Sequence, residues 1–370
     1  MSKNPPHSKK ARATTMPVAL LLVTAVSLLA AEGLVRLVLP QNLSGTWFVP
    51  AGRPYSLNKA GGTARHQSGS RVVHYRFNEH HMRGGAVAEA DVKLLCLGDS
   101  FAFGWLVEEQ DSLVGLLHAR AAKEFAPASI EFMNAGTGGW GAAQYLAFFE
   151  DHAALPSADV VVAFLNFADV KRSQGSGLFR LSADGEAEPV AAANSGSGWL
   201  RAVVHGVPGH EWLLEHSHLV QLTRRACLMT GAADAKPAVA SAADDREGVR
   251  LVQAVFRRLN RACQERGAAL LVIAIGVGGL IEQEAPQEWS PADRLFADQA
   301  ADFFASIKVP FIDLSGPVTA AAGTDAGRYL IPVDHHLNEA GSALCAQAAW
   351  PWLREHLARI IPEKNRPERS

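Results

Sequence analysis

Leu94-Leu95-Cys96-Leu97-Gly98-Asp99-Ser100-Phe101-Ala102-Phe103-Gly104-Trp105 is an apolar run that breaks at a glycine and delivers a hydroxyl. Residues 93–97 read as a strand, and Gly98 lets the chain turn tightly after it. Asp99-Ser100 then stands where a helix begins, beside backbone N–H groups that lack intrahelical partners. The same rhythm recurs downstream. Apolar positions at Leu113, Leu116, Leu117 and Ala121 predict a helix over 111–124, and a short strand follows at 130–133. A glycine-rich turn, Asn134-Ala135-Gly136-Thr137-Gly138-Gly139-Trp140-Gly141, leads to a helix over 142–154. The valine-rich run 160–165 has no polar break, the mark of a strand buried on both faces. Further on, an amphipathic helix over 249–265 ends at Gly267, and strands at 268–275 and 309–314 flank a helix over 291–307. A last helix over 337–361 is expected to break or bend at Pro351. Strands alternating with helices imply a mostly parallel sheet covered on both faces.

Outward from this core the pattern degrades. Between 171 and 247 glycines interrupt it, one helix is expected over 211–228, and 231–245 is an alanine-rich, linker-like tract containing Pro237. Upstream, Val73, Tyr75 and Phe77 alternate in a short strand, and 78–85 reads as a loop. At the N-terminus Lys3, Lys9, Lys10 and Arg12 precede an apolar stretch from Met16 that resumes after Glu32 and lasts to Leu39. That length suits a bilayer span, and positive charge before it keeps the leader in the cytoplasm, with the rest of the chain outside. A cleaved signal peptide, cut near Ala25-Val26-Ser27, and a buried core helix are the other readings. The expected organisation is a basic leader over 1–15, a membrane anchor over 16–39, a juxtamembrane lead-in over 40–90, one large α/β domain over 91–362 with an insertion at about 171–247, and a tail over 363–370.

The 370 residues carry a formal net charge of −2 and no domain-scale basic block, which argues against nucleic acid as a partner. Cys96, Cys227, Cys263 and Cys345 show neither CxxC pairing nor regular spacing, so buried free thiols are expected. One disulfide would suit an exported domain.

Far from Ser100, Asp334-His335-His336-Leu337-Asn338-Glu339-Ala340-Gly341 sets a carboxylate and imidazoles just before a helix. A serine, a histidine base and a carboxylate on the second ring nitrogen are the parts of a hydrolytic triad. From the residues alone, Ser100 also reads as a plain helix cap, and His335 competes with His336 for the base. Asp334-His335-His336 and Glu79-His80-His81 look ligand-like, yet neither has the i, i+4 helical spacing of a zinc protease.

With Leu97-Gly98-Asp99-Ser100, Asn134 to Gly139, and Asp334-His335-His336-Leu337-Asn338-Glu339-Ala340-Gly341 together, the chain resembles the SGNH (GDSL-type) hydrolases over about 91–360. Phe77-Asn78 and Met82-Arg83-Gly84 resemble a lead-in of membrane-anchored relatives. The resemblance implies a flavodoxin-like three-layer α/β/α sandwich, no cofactor and no metal, and an acyl-ester substrate. It implies Ser100 as nucleophile, His336 as base, Asp334 as its orienting acid, and the N–H groups of Ser100 and Gly139 as oxyanion donors. The segment Leu337-Asn338-Glu339-Ala340-Gly341 resembles what trails the family's catalytic histidine, which favours His336. Two departures stand out. The acid and base are spaced Asp-x-His rather than Asp-x-x-His, and Ala168 occupies the place of the asparagine in the family's Asn-Asp pair, leaving Asn166 as the third donor. The implied activity is ester hydrolysis through an acyl-enzyme, with O-acylated envelope glycans as a substrate class suited to a domain outside a membrane. Acyl transfer to an exported polysaccharide and a degenerate glycan-binding domain are the alternatives.

Overall fold

The computed structural model describes residues 9–152, 155–166, 168–191, 209–232, 242–284 and 290–361. They group into two compact units, one formed by the described residues within 1–46, 65–70 and 197–237, the other by those within 47–64, 71–196 and 238–370. The expected linker around Pro237, the leader before Lys9 and the tail over 363–370 lie outside the described residues.

In the larger unit, short strands β1 (Phe48–Pro50) and β2 (Ser56–Asn58) come first; β3 (Thr63–Ser68) falls mostly in the smaller unit, and β4 (Arg71–Arg76) returns to the larger one. The sheet begins at β5 (Val92–Gly98) and continues with β6 (Ile130–Asn134) and β7 (Val160–Leu165). A hairpin of β8 (Phe179–Leu181) and β9 (Ala187–Pro189) precedes the last two, β10 (Ala269–Ala274) and β11 (Phe311–Asp313). The five-stranded sheet has the order β11-β10-β7-β5-β6, with every pairing parallel. This is the α/β sandwich expected, a doubly wound sheet that reverses direction beside β5. All six residues of β7 are buried because helices cover both faces.

One apolar layer joins the sheet to helices Ala142–Asp151, Ala242–Glu265 and Pro291–Ser306; the other joins it to Leu113–Glu124, Ser315–Ala322 and Glu339–Ile360. The expected break at Pro351 does not occur: the last helix runs unbroken through that proline. Buried Ala349, Trp350, Leu353 and Leu357 pack it onto the sheet, and Trp350 Nε1 donates to Glu124 at 2.8 Å. Tertiary packing there outweighs the one backbone hydrogen bond a proline removes.

The smaller unit contains a helix from Lys9–Val38. Its segment Met16–Val38 is apolar and unburied, which excludes the core-helix reading. At 1.5 Å per residue it spans roughly 35 Å, the length and character of a signal sequence or anchor. The helix expected over 211–228 is two, His210–His216 and His218–Ala232. The break has a cause far away in sequence. Glu32 accepts hydrogen bonds from Ser217 Oγ (2.8 Å), His218 N (3.0 Å) and Leu219 N (2.9 Å), and so caps the second helix.

Candidate active site

Ser100 opens a one-turn helix, Ser100–Phe103, straight after β5. A Cβ built on Gly98 would lie 2.4 Å from the Ala102 Cβ, so only glycine allows this close return of the chain. The Asp99 side chain caps the turn by accepting from Phe101 N at 2.9 Å. Gly104, at φ 82°, closes it and donates to Ser100 O. Ser100 is thereby held almost buried, at 6% exposure, at the carboxyl edge of the sheet.

His336 Nε2 lies 2.8 Å from Ser100 Oγ, and His336 Nδ1 lies 2.5 Å from Asp334 Oδ1. The three side chains predicted from sequence therefore meet. The ring of His336 is flanked by Phe101 at 5.0 Å and by Trp105 at 5.6 Å, centroid to centroid. The short Asp-x-His spacing works through a tight turn rather than an extended loop. Val333 (φ 69°) and His335 (φ 61°) adopt left-handed backbone on either side of Asp334, and His335 N donates to Ile331 O at 2.9 Å. For a β-branched valine that conformation is a true outlier, of the kind that gathers at functional sites. His335, the rival base, contributes its backbone to the turn, and it is the His336 ring that reaches Ser100 Oγ.

Gly139, at φ 80°, is exposed, with open space around the position of a Cβ. Among the described residues none accepts from the Ser100 or Gly139 N–H, which leaves both donors available to a ligand. Asn166 is more committed. Its Nδ2 donates to Asp99 Oδ2 at 3.2 Å, and its Oδ1 accepts from Ala168 N at 3.2 Å. Of the ligand-like histidines, His81 Nδ1 pairs with Asn58 O at 2.6 Å and His80 lies beside Glu79. Among the described residues no group of three metal-ligating side chains forms.

Two features escaped the sequence reading. Arg83, 4% exposed, spreads its guanidinium over carbonyls of the turn after Ser100: Phe103 O (2.5 Å), Gly104 O (2.6 Å) and Val107 O (2.6 Å). It also stacks on Tyr75 and Phe103. Burial lowers its pKa. The Met82-Arg83-Gly84 segment was visible, but nothing in it told that the charge goes inside. The second feature is a polar layer beneath Ser100. Asp99 and Asp169 are wholly buried and share Arg172, whose Nη1 lies 2.7 Å from Asp99 Oδ2 and 3.5 Å from Asp169 Oδ1. Tyr145 Oη donates to Asp169 Oδ2 at 2.8 Å. Burial, then the charge of Asp99, pushes the Asp169 carboxyl well above the usual range. Burial works to lower the Arg172 pKa, but the two carboxylates outweigh it and raise it.

The GDSL-like lipase/acylhydrolase family matches residues 96–344, well over half of the 370. The chain belongs to this family. Among solved structures this GDSL-type ester hydrolase is similar to TesA, at 16% identity over 71% of this chain and 98% of that one, with a TM-score of 0.41. It is similar to esterase EstA from Pseudoalteromonas sp., at 12% identity over 72% of this chain and 98% of that one, with a TM-score of 0.40. It is also similar to the acetyl xylan esterase AlAXEase, at 14% identity over 71% of this chain and all of that one, with a TM-score of 0.41. Among curated protein sequences none matches the chain.

Proposed function

We propose that this GDSL-type hydrolase cleaves acyl esters with Ser100 as nucleophile, His336 as general base and Asp334 as the group that orients the imidazole. One observation carries the reading: the unbroken hydrogen-bonded line from Ser100 Oγ through His336 to Asp334. His336 takes the serine proton as Oγ attacks the carbonyl. The tetrahedral oxyanion is held by the N–H groups of Ser100 and Gly139, with the free hydrogen of the Asn166 amide as third donor. The imidazolium then protonates the leaving alcohol. Water, activated by the same His336, releases the acyl group.

The proposed substrate class is an O-acylated glycan outside the membrane. A cavity of about 310 Å³ opens where β7, β10 and β11 end, lined by Asn166, Glu282, Arg294, Asp298 and Asp313 among others; of the proposed site residues only Asn166 borders it. The carboxylates on its wall suit the hydroxyl donors of a sugar. We propose that the helix from Lys9–Val38 stays uncleaved as a single-pass anchor, its basic leader cytoplasmic and the hydrolase domain extracytoplasmic. The test is reaction of the full-length protein with a fluorophosphonate probe and with p-nitrophenyl acetate. Labelling that vanishes in Ser100→Ala is expected, and labelling that persists there overturns the assignment. Acetyl release from acetylated polysaccharides, with and without a glycan acceptor, separates hydrolysis from transfer. Protease accessibility in membrane vesicles tests the orientation.

A further inference from the structure

We infer that Arg172 is a positioning residue of the ester-cleaving centre, locking the turn that carries Ser100 to the loop that carries Gly139. The inference rests on the esterase reading above and names how that site is held together.

Arg172 lies on the short helix Asp169–Gly175 that follows β7. Its Nη1 reaches two different segments. One bond, 2.7 Å, goes to Asp99 Oδ2, the side chain immediately before the nucleophile; another, 3.3 Å, goes to Trp140 O, the residue immediately after Gly139. The two segments that supply the open N–H donors are thus joined by a single guanidinium. The join is backed from below. A Cβ built on Gly141 would lie 3.0 Å from the Arg172 Cβ and 2.9 Å from Asp169 O, so loop and helix touch with no room for a side chain.

Charge explains why a cation is needed there. Asp99 is wholly buried and performs two local tasks: Oδ1 caps Phe101 N, while Oδ2 takes the Asn166 amide as well as Arg172. Without the guanidinium this buried carboxylate would be left with no counter-charge, since its remaining partners, Phe101 N and the Asn166 amide, are neutral. With its shortest partner gone, the Asp99 side chain is free to swing away, which releases the cap that sets the Ser100 turn. The Arg172 side chain retains 34% exposure, which gives a small cation access from solvent once the arginine is cut back.

The experiment compares full-length parent, Arg172→Ala, Arg172→Lys and Asp99→Asn in p-nitrophenyl acetate turnover and fluorophosphonate labelling, with thermal melts alongside. Arg172→Ala is expected to lower kcat and the labelling rate at least tenfold, with KM within about threefold. Added guanidinium restores the rate saturably, and Arg172→Lys falls between parent and Ala. Asp99→Asn combined with Arg172→Ala costs no more than the worse single change, because the two act as one unit. If Arg172→Ala does not fold, the Lys variant and its pH–rate profile carry the test, and a profile and kcat equal to the parent's overturn the inference. So does an Ala variant that melts like the parent and turns over within threefold of it, or one whose loss follows its melting temperature and resists guanidinium. A parent protein that neither labels nor turns over ester brings down the esterase reading and this inference together; an active parent with an equally active Arg172→Ala brings down this inference alone.

Discussion

The two turns that meet at the reactive hydroxyl are built in opposite ways. The Ser100 turn is buried and specified many times over, by Gly98 where a methyl would collide, by the Asp99 cap, and by Arg83 spread on three carbonyls. The Asp334–His336 turn lies near the surface, with both functional side chains about a quarter exposed and two non-glycine residues in left-handed backbone. One half is stable because its surroundings leave no alternative. The other holds local strain in exchange for bringing an acid and a base together across a single residue. Precision at this centre therefore comes from the sheet side, and the base is brought to it.

The sharpest way to break the contrast is to remove the base. His336→Ala should lower kcat by about four to six orders of magnitude, yet shift the melting temperature little, since surface changes stay within about 0.5 kcal/mol. A large loss of stability would show that the outer turn also supports the fold. On the inner turn the balance reverses. Arg83→Met keeps the apolar stem but strips three buried carbonyls of their donor, and should cost about 3 kcal/mol in urea unfolding. A cost below about 1 kcal/mol would mean that the turn stands without it. Val333→Gly probes the strain directly. Left-handed backbone costs a side-chain-bearing residue about 1–2 kcal/mol, so glycine should raise stability by about 1 kcal/mol, read in the same titration.

The fourth test concerns the layer beneath Ser100. Asp169 has a raised pKa in the folded protein, so the native state holds that proton more tightly than the unfolded chain does. Its stabilising effect is complete below the ordinary aspartate range and fades as pH climbs through the raised value. Between about pH 5 and about pH 8 the parent should therefore lose more thermal stability than Asp169→Asn. Equal slopes would place the titrating group elsewhere.

What could be read from the residues follows the physics of each part. β5, β7 and β10 are continuous apolar runs between helical periods, and buried parallel strands look like that in sequence. Ser100, His336 and Asp334 were legible because the blocks around them, Leu97 to Ser100 and Asp334 to Gly341, resemble those of the GDSL-type family; turn and cap chemistry alone left Ser100 a plain cap and His335 a rival. The features that escaped depend on distant partners. Glu32 splits a helix 185 residues away, the burial of Arg83 is decided by the rings of Tyr75 and Phe103, and the bond from Arg172 to Asp99 spans 73 residues. At Pro351 local propensity allows a break or a bend, and the helix stays continuous where it packs against the sheet. At the Asp334 turn the pairing was foreseeable, but its left-handed backbone has no signature in a Val-Asp-His-His string.

The cysteines have a practical consequence. Cys96, Cys263 and Cys345 are sealed in the interior, and burial pushes the thiols of Cys263 and Cys345 up to about 12, whereas Cys227 is at the surface. Maleimide or iodoacetamide should therefore leave those three interior thiols untouched while the fold holds, and the onset of their modification in urea or on heating becomes a direct gauge of when the core opens.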